Sequence, residues 1–230
     1  ILRAESGIIT SDNQLLVQSD FTSERLEYFL DDNNELIIPL SWKGNNGLIV
    51  TKNFHFKPDS YIVEVDYQIT NNSSSDQVFK SYTQLVHGSS VETSGMAMGM
   101  QNFSGGATFN DEDIFEKIDF EDFEPSLKTT SKSGWAAMIQ HYFFTAWIPN
   151  ENNEEHTYST NIAKNGNYEL SIINPQIKVL AGETAYLQKN QLYIGPKEHV
   201  RLEELAPGLD KTVDYGFLFI VAKPLSIFLH

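Results

Sequence analysis

Acid–base chemistry or metal binding would depend most on the six histidines of this sequence: His55, His87, His141, His156, His199 and His230. No two of them have the spacing of paired metal ligands on one helix, and no HExxH motif occurs. His87 and His141 are candidates for an acid–base pair, but no motif connects either of them to a particular carboxylate. The sequence also lacks a G-x-S-x-G elbow and a phosphate-binding loop. We therefore predict no catalytic residue, no bound metal ion and no cofactor.

A second group of polar residues lies in the acidic segment 111–124, in which Lys117 is the only basic residue. Its carboxylates could bind a cation or a basic partner, but they lack the spacing of a calcium-binding loop. Apolar residues alternate with the acidic ones, and they are Ile114, Phe115, Ile118, Phe120 and Phe123. This pattern favours a surface segment that its aromatic side chains attach to the core.

The composition restricts the possible partners. The chain has 230 residues, a formal net charge of −15 and no cysteine. Phosphate binding needs clustered Lys and Arg, so nucleic acid is excluded as a partner, and broad adhesion to an anionic lipid surface is disfavoured. Disulfides and thiolate metal sites are excluded as well. Because the chain starts at Ile1 and shows no signal peptide, we expect a processed product or an excised domain.

Alternation of apolar and polar residues is the dominant pattern along the chain. In the stretch SYIVEVDYQIT, Val63, Val65 and Tyr67 share one face, and acidic residues occupy the other. Such a period of two indicates half-buried β-strands. Similar stretches occupy residues 47–56, 77–86, 168–173, 176–180 and 184–194, separated by turn-forming residues. The sequence therefore predicts a mainly antiparallel β domain with many strands.

The segment from residue 135 to residue 148 is apolar on both alternating faces. We interpret it as one central strand that is covered on both sides, with Trp135, Phe143 and Trp147 on the same buried face.

Helix signals appear only near the C-terminus. The stretch GPKEHVRLEELAPG predicts a helix that starts at Pro196 and stops at Pro207 and Gly208. A second helix is expected from about Thr212 onward. Its apolar part, residues 217–229, is shorter than the about 20 residues that a membrane-spanning helix needs. It is therefore either a core helix or the start of a segment that lies against a membrane.

Several stretches, taken in order and spacing, resemble the large periplasmic domain of YidC, the membrane protein insertase of Gram-negative bacteria. They are SKSGWAAMIQHYFFTAWIP, LYIGPKE and LDKTVDYGFLF, with NFSGGATFNDEDIFEK as a weaker match. One departure is Ser133, where the family usually has a second glycine.

The resemblance implies a β-supersandwich of antiparallel strands, galactose-mutarotase-like, with short α-helices at its C-terminal end. Residues 1–208 would form this periplasmic domain, and residues 209–230 would lead towards the inner membrane. The residues that match the family motif, with an expected structural role, are Gly134, Trp135, Tyr142, Phe143, Trp147, Pro149, Thr212, Val213 and Gly216. Those expected on a helix that faces a partner or the membrane are Asp214, Tyr215, Phe217, Phe219, Ile220, Leu225 and Phe228.

The function implied by the resemblance is non-enzymatic. Such a domain would contact the Sec translocon accessory proteins SecD and SecF or nascent membrane-protein clients, and would brace the membrane-embedded core. An alternative from another class is a carbohydrate-binding or aldose-mutarotase-like domain, because sandwiches of this fold also bind sugars. Fold similarity alone is weak evidence of function.

Overall fold

The computed structural model describes residues 2–17, 21–30, 35–88, 103–112, 114–123, 128–140, 143–150, 154–197 and 199–212. Within these ranges β-strands are the predominant structure. In chain order the strands are β1 (Leu2–Thr10), β2 (Leu36–Lys43), β3 (Leu48–Phe56), β4 (Ile62–Asn71), β5 (Gln77–His87), β6 (Gly105–Asn110), β7 (Phe115–Asp119), β8 (Lys128–Ser131), β9 (Gly134–Ile139), β10 (Phe143–Pro149), β11 (His156–Ile162), β12 (Tyr168–Ile173), β13 (Ile177–Val179) and β14 (Thr184–Pro196).

These strands form two antiparallel sheets that pack face to face. The six-stranded sheet has the order β1-β5-β12-β11-β8, and β13 pairs with another part of β5. The eight-stranded sheet has the order β2-β3-β4-β14-β10-β9-β6-β7. A 3₁₀ turn (Phe120–Asp122) follows β7, and a short helix α1 (His199–Leu205) and a second 3₁₀ turn (Leu209–Thr212) follow β14. The prediction of a mainly antiparallel sandwich with short C-terminal helices is confirmed.

The main core lies between the two sheets, and the predicted alternation accounts for it. On β4, Val65, Tyr67 and Ile69 are buried and face the six-stranded sheet. The acidic residues Glu64 and Asp66 alternate with them and therefore lie on the outer face of the eight-stranded sheet. Burial of the large apolar side chains in this layer supplies most of the driving force for packing one sheet on the other.

The predicted attachment of the acidic segment to the core is confirmed for three residues, whereas Ile114 is 49% exposed. Ile118, Phe120 and Phe123 are buried, whereas Glu116 and Glu121 beside them are exposed. The rings of Phe120 and Phe123 lie 5.6 Å apart. The aromatic residues thus attach β7 and the 3₁₀ turn to the main core, and the carboxylates remain in water.

The prediction of one central strand over residues 135–148 is wrong, because this segment is a hairpin. It contains β9 and β10, which are antiparallel neighbours, and the Gln140 N–H donates to the Phe143 carbonyl oxygen across the connection (3.0 Å). Trp147 pairs with Ala136, so odd-numbered residues of β10 share a face with even-numbered residues of β9. Trp135 and Trp147 are both buried but on opposite faces, and Phe143 is 57% exposed. The prediction that both faces of this region are covered is confirmed.

Lys52 is the unusual residue of the layer between the sheets. Its position on β3 places it on the side of Val50 and Phe54, and its ammonium donates to the Ser6 carbonyl oxygen of β1 (3.1 Å). The same nitrogen lies 4.8 Å from the centre of the Phe54 ring and 5.6 Å from that of Tyr67. Removal from water disfavours the charged amine, and burial lowers the pKa of Lys52 to about 8.

This lowered pKa predicts that the domain becomes more stable as the pH rises from 7 to 9.5. An unfolded chain keeps the amine protonated up to about pH 10.4, so above pH 8 it binds more protons at Lys52 than the folded chain does. We expect the free energy of unfolding to rise by roughly 1–2 kcal/mol over this interval from Lys52 alone.

The measurement is urea denaturation of the natural chain and of Lys52→Met at each pH, and the difference between the two isolates the contribution of Lys52. The free energy of unfolding of Lys52→Met, taken relative to that of the natural chain, should fall as the pH rises. A difference that stays constant between pH 7 and 9.5 would contradict the assignment.

Candidate functional site

A second apolar cluster covers the outer face of the eight-stranded sheet, on the side away from the main core. It contains buried residues of β6, β9, β10 and β14 together with residues of α1 and of the segment that follows it. Its buried members are Ala107, Phe109, Trp135, Ala137, Ile139, Phe144, Ala146, Ile148, Tyr193, Leu202, Ala206 and Leu209. The central strands of this sheet are therefore buried on both faces, and the C-terminal helix forms a third layer of the domain.

Trp135 is the centre of this third layer. Its side chain is fully buried, and its indole N–H donates to the carbonyl oxygen of Pro207, which follows α1 (3.0 Å). The ring stacks on Phe109 with centroids 5.9 Å apart and an interplanar angle of 8°, and it contacts Phe115 at the same centroid distance. A single side chain of β9 thus contacts β6, β7 and the chain after the helix.

Two glycines permit this close packing. Gly134 has a φ of +124°, and a Cβ at this position would lie 1.9 Å from the carbonyl oxygen of Phe109. Gly208 ends the helical segment with a φ of +72°, and a Cβ there would lie 2.4 Å from the Phe109 ring. Any other residue would clash with Phe109 and would occupy a disfavoured backbone conformation. The Phe109 ring also lies under the ammonium of Lys211, at 4.9 Å.

The last described turn, Leu209–Thr212, is packed against the sandwich. Leu209 and Thr212 are buried, and the Thr212 hydroxyl donates to the Leu209 carbonyl oxygen (2.6 Å). The Leu209 N–H donates to the Ala206 carbonyl, and the Lys211 N–H to that of Gly208. The backbone from Ala206 to Thr212 is thereby held against the sheet.

The structure brings together part of the predicted motif. We call the second apolar cluster, together with Gly134, Gly208 and Thr212, the helix-docking site. Of the motif residues, Gly134, Trp135 and Thr212 belong to it. Trp147 lies in the main core instead, where its indole N–H donates to the Gln84 carbonyl oxygen (3.2 Å). Pro149 is buried at the end of β10. Outside the described residues lie Tyr142, Val213, Asp214, Tyr215, Gly216, Phe217, Phe219, Ile220, Leu225 and Phe228.

The predicted helix exists, but its start is corrected. Pro196 is the last residue of β14, and α1 begins at His199. Pro196 still pairs with Phe143 in the sheet, and its carbonyl accepts a hydrogen bond from the Tyr193 hydroxyl (2.7 Å). These contacts extend the strand beyond the point at which the sequence alone indicates a helix. In the part of the chain that the structure describes, no helix is long and apolar enough to cross a membrane.

A cleft opens between neighbouring edges of the two sheets. Its volume is about 310 Å³, and the lining comes from β6 and β7 on one side and β8, β11 and β12 on the other. Ile118, Tyr158 and Leu170 contribute apolar or aromatic surface, and Glu116 and Lys128 contribute opposite charges. This combination of apolar walls and a few polar groups suits an extended peptide segment better than a highly charged ligand.

The histidines proposed as acid–base candidates do not form a catalytic site in the described chain. His87 donates through Nδ1 to the Gly88 carbonyl oxygen (2.9 Å), and its ring lies 4.7 Å from that of Phe120. Burial lowers the pKa of His87, which favours the neutral ring. His141 lies outside the described residues. His87 therefore has the environment of a structural histidine.

The histidine that does meet carboxylates is His55, which the sequence analysis did not single out. Its Nδ1 lies 3.2 Å from Glu35 Oε1, and its Nε2 lies 2.7 Å from Asp66 Oδ2. The pairing of β3 with β4 sets His55 opposite Glu64 and Asn53 opposite Asp66, on the outer face of the eight-stranded sheet. Strand register creates this cluster, so a search for local motif spacing cannot find it.

Comparison with known proteins gives a consistent result. The family model described as the YidC periplasmic domain matches residues 2–228. The chain is 47% identical over 230 residues to the membrane protein insertase YidC of Vesicomyosocius okutanii and 46% identical to that of Ruthia magnifica. In both cases all of this chain is covered, but only 41% of the relative. The chain thus spans about two fifths of the length of these relatives.

Solved structures with a similar fold act on sugars. An α-galactosidase from Lactobacillus brevis matches with a TM-score of 0.57 at 12% identity, over 86% of this chain and 30% of that protein. A galactose mutarotase related enzyme from Lactobacillus acidophilus matches with a TM-score of 0.51 at 8% identity, over 77% of this chain and 71% of that protein. At such identities the likeness shows the fold alone, and it confirms the predicted mutarotase-like sandwich.

The docking contact of Trp135 predicts a local effect of Trp135→Phe. The phenyl ring keeps much of the apolar contact, but the Pro207 carbonyl loses its donor, so we expect a loss of about 1–3 kcal/mol in unfolding free energy. Backbone amides of residues 202–212 should exchange hydrogen faster in the variant. Trp147→Phe is the matched control, because it removes the bond to Gln84 on the opposite face and should leave that exchange unchanged. Equal exchange in both variants would contradict the docking role of Trp135.

Proposed function

The chain belongs to the YidC periplasmic domain family, the periplasmic part of a membrane protein insertase, and we propose that it acts there as a non-catalytic accessory domain. Its proposed role is to support insertion and folding of inner-membrane proteins by bracing the membrane-embedded part of the insertase. In this proposal, contacts with SecD and SecF or with client segments take place on the sandwich, and the C-terminal end connects the sandwich to the membrane.

The observation that carries the proposal is the docking of the C-terminal segment on the eight-stranded sheet. Trp135, Gly134 and Gly208 hold this segment in one position, and Thr212 is buried at its end. A segment fixed in this manner transmits the orientation of the sandwich to whatever follows it, as a brace must. The apolar residues Leu202, Ala206 and Leu209 of the docked segment are buried inside the domain. We therefore propose that residues after Thr212 provide the contact with a membrane or a partner.

The charge of the domain limits how it can approach a membrane. A net charge of −15 opposes electrostatic attraction to anionic lipids. Membrane contact would therefore depend on apolar side chains at the end of the chain, which we propose are Phe217, Phe219, Ile220, Leu225 and Phe228. Because these positions spread around most of the circumference of a helix, one face of the sandwich cannot cover all of them.

For partner contact we propose the cleft between β7 and β8. Two strand edges border it, and a strand edge offers unpaired backbone groups to an extended segment. The lining combines apolar side chains with Glu116 and Lys128, as expected for a surface that binds segments of varied sequence. SecD, SecF and nascent clients are the candidate occupants.

The sugar-active alternative is not favoured. The fold neighbours act on sugars, but His87 is packed against Phe120 and bonded to a backbone carbonyl. The relatives with high sequence identity to this chain are named membrane protein insertase, whereas the sugar enzymes share only its fold. We therefore expect no anomer interconversion by the purified domain.

Truncation tests the proposed role of the chain end. Deleting every residue after Gly216 should leave the free energy of unfolding nearly unchanged, because the docked segment up to Thr212 is retained. Binding to phospholipid vesicles, measured by co-sedimentation, should fall, as should self-association measured by ultracentrifugation. Unfolding of the truncated domain would mean that residues 217–230 form an ordinary core helix, and the membrane proposal would then be wrong.

Substitution in the full-length insertase tests the bracing role. Asp214→Ala and Tyr215→Ala should impair insertion of a client membrane protein, because we expect both side chains to fix the angle at which the chain leaves the sandwich. Asp119→Asn and Glu121→Gln are the controls, since these exposed acidic residues lie at or after the end of β7, away from the residue that pairs with Phe109, and should have little effect. Client insertion into inverted membrane vesicles, followed by protease protection, measures the difference. Equal defects in both pairs would contradict the proposal.

A further inference from the structure

Three potential metal ligands converge on the outer face of the eight-stranded sheet, remote in sequence from the helix-docking site. They are Glu35 immediately before β2, His55 on β3 and Glu64 on β4. One ligand atom of each lies within 4.8 Å of the others. The His55 side chain is 9% exposed, that of Glu64 16% and that of Glu35 36%, so the cluster is largely buried and opens to solvent beside Glu35.

The two ring nitrogens of His55 face different carboxylates. A carboxylate accepts hydrogen bonds, and the contact of 2.7 Å between Nε2 and Asp66 Oδ2 holds the ring in one orientation. In this orientation Nδ1 lies 3.2 Å from Glu35 Oε1, so a cation on this side of the ring would contact a nitrogen and a carboxylate oxygen together.

Asp66 occupies the position of a carboxylate that orients a metal-binding histidine. Metal-bound histidines commonly donate their second N–H to a carboxylate, which fixes the ring orientation. Asp66 takes that position, and its other oxygen accepts a hydrogen bond from the Asn53 side-chain amide (2.7 Å). Asn53, Asp66 and His55 form a chain of contacts that aims Nδ1 towards Glu35.

Local charge also favours a cation. Glu35, Glu64 and Asp66 face two lysines, Lys57 and Lys189, which leaves one carboxylate more than the lysines balance. Lys189 binds Glu64 Oε2 at 3.0 Å, Oε1 lies 3.6 Å from Lys57, and the Glu64 carboxylate also accepts a hydrogen bond from the Gln191 side chain. A metal ion at Oε1 would therefore replace the long contact with Lys57 and leave the contact with Lys189 in place.

We propose that Glu35, His55 Nδ1 and Glu64 form a site for a divalent transition-metal ion such as zinc, with Asp66 as the positioning residue. One imidazole and two carboxylates suit zinc or a neighbouring ion better than calcium or magnesium, which prefer oxygen ligands alone. Ligands on one zinc ion lie about 3.4 Å apart, so no pair has to approach by more than about 1.4 Å. Glu35 precedes β2, and its side chain lies at the open side of the site. We expect this side chain to move towards a bound ion. A bound ion would connect the chain before β2 to β4.

The test is titration of the chelator-treated chain with zinc chloride, followed by isothermal calorimetry and by the midpoint of thermal unfolding. We expect one zinc ion per chain and a raised unfolding midpoint, because an ion that binds only the folded state stabilises it. Calcium and magnesium chloride should produce neither effect. Absence of zinc binding, or a calcium response equal to that of zinc, would overturn the proposal.

Substitutions locate the ion. Glu35→Gln and His55→Gln should each weaken zinc binding at least about tenfold, and Asp66→Asn should weaken it by about the same factor through its effect on the ring. The matched controls are Glu121→Gln, another exposed glutamate, and His87→Gln, another buried histidine, and both should bind zinc as the natural chain does. If His55→Gln fails to fold, Glu35→Gln decides the question.

Substitution of Lys57 should strengthen zinc binding, whereas the substitutions above should weaken it. Lys57→Gln removes a competing cation from the neighbourhood of Glu64, so it should strengthen zinc binding about two- to fivefold. The affinity of a zinc site elsewhere on this acidic chain would not change on substitution of both Lys57 and Glu35. Zinc binding that is unchanged in Glu35→Gln, His55→Gln and Lys57→Gln together would assign the ion to another part of the surface and overturn the proposal.

Discussion

Burial of the hairpin β9–β10 on both faces is the constraint on which the rest of this structure depends. One face carries Met138 and Trp147 into the main core, and the other carries Trp135 and Phe144 into the second cluster. A sheet region that is apolar on both sides must be covered twice, because neither face can remain in water. The six-stranded sheet covers the first face. The segment after β14 must return over the second, so the position of the C-terminal helix follows from the composition of β9 and β10.

The sequence predicted this double burial but not the hairpin that produces it. Period-two alternation continues through Gln140 and the two residues after it, and this connection contains no Gly, Pro, Asn or Asp to indicate a turn. The pattern therefore resembles one long strand. Strands β3, β4, β5, β12, β13 and β14 were predicted because turn-forming residues separate them, whereas β1, β2, β6, β7, β8 and β11 were not. The docking of Trp135 on Pro207 joins residues 72 positions apart, and no local pattern contains that information.

The cluster around His55 was unpredictable for a related reason. His55 and Glu64 are nine positions apart, a separation without meaning until β3 and β4 pair with these two residues opposite each other.

A β-bulge in β14 is a second element that the sequence does not indicate. The register of β14 on β4 shifts between Leu187 and Asn190, and Leu187 and Leu192 both face the main core although their numbers differ in parity. The bulge lets Asn190 point inward to Asn174 while Lys189 points outward to Glu64.

Strand β14 connects the helix-docking site with the His55 cluster. Residues 184–193 of β14 pair with β4, with Gln191 opposite Glu64, and residues 190–196 pair with β10 on the other side of the strand. A groove of about 420 Å³ lies between these regions and is lined by Glu64 and Lys189 on one side and by Leu205 and Pro207 on the other. Lys189, which binds Glu64, lies on this strand, and Tyr193 of the same strand belongs to the apolar cluster that includes Leu202 of α1. The polar and apolar parts of the outer face are therefore joined by β14, the strand that precedes α1.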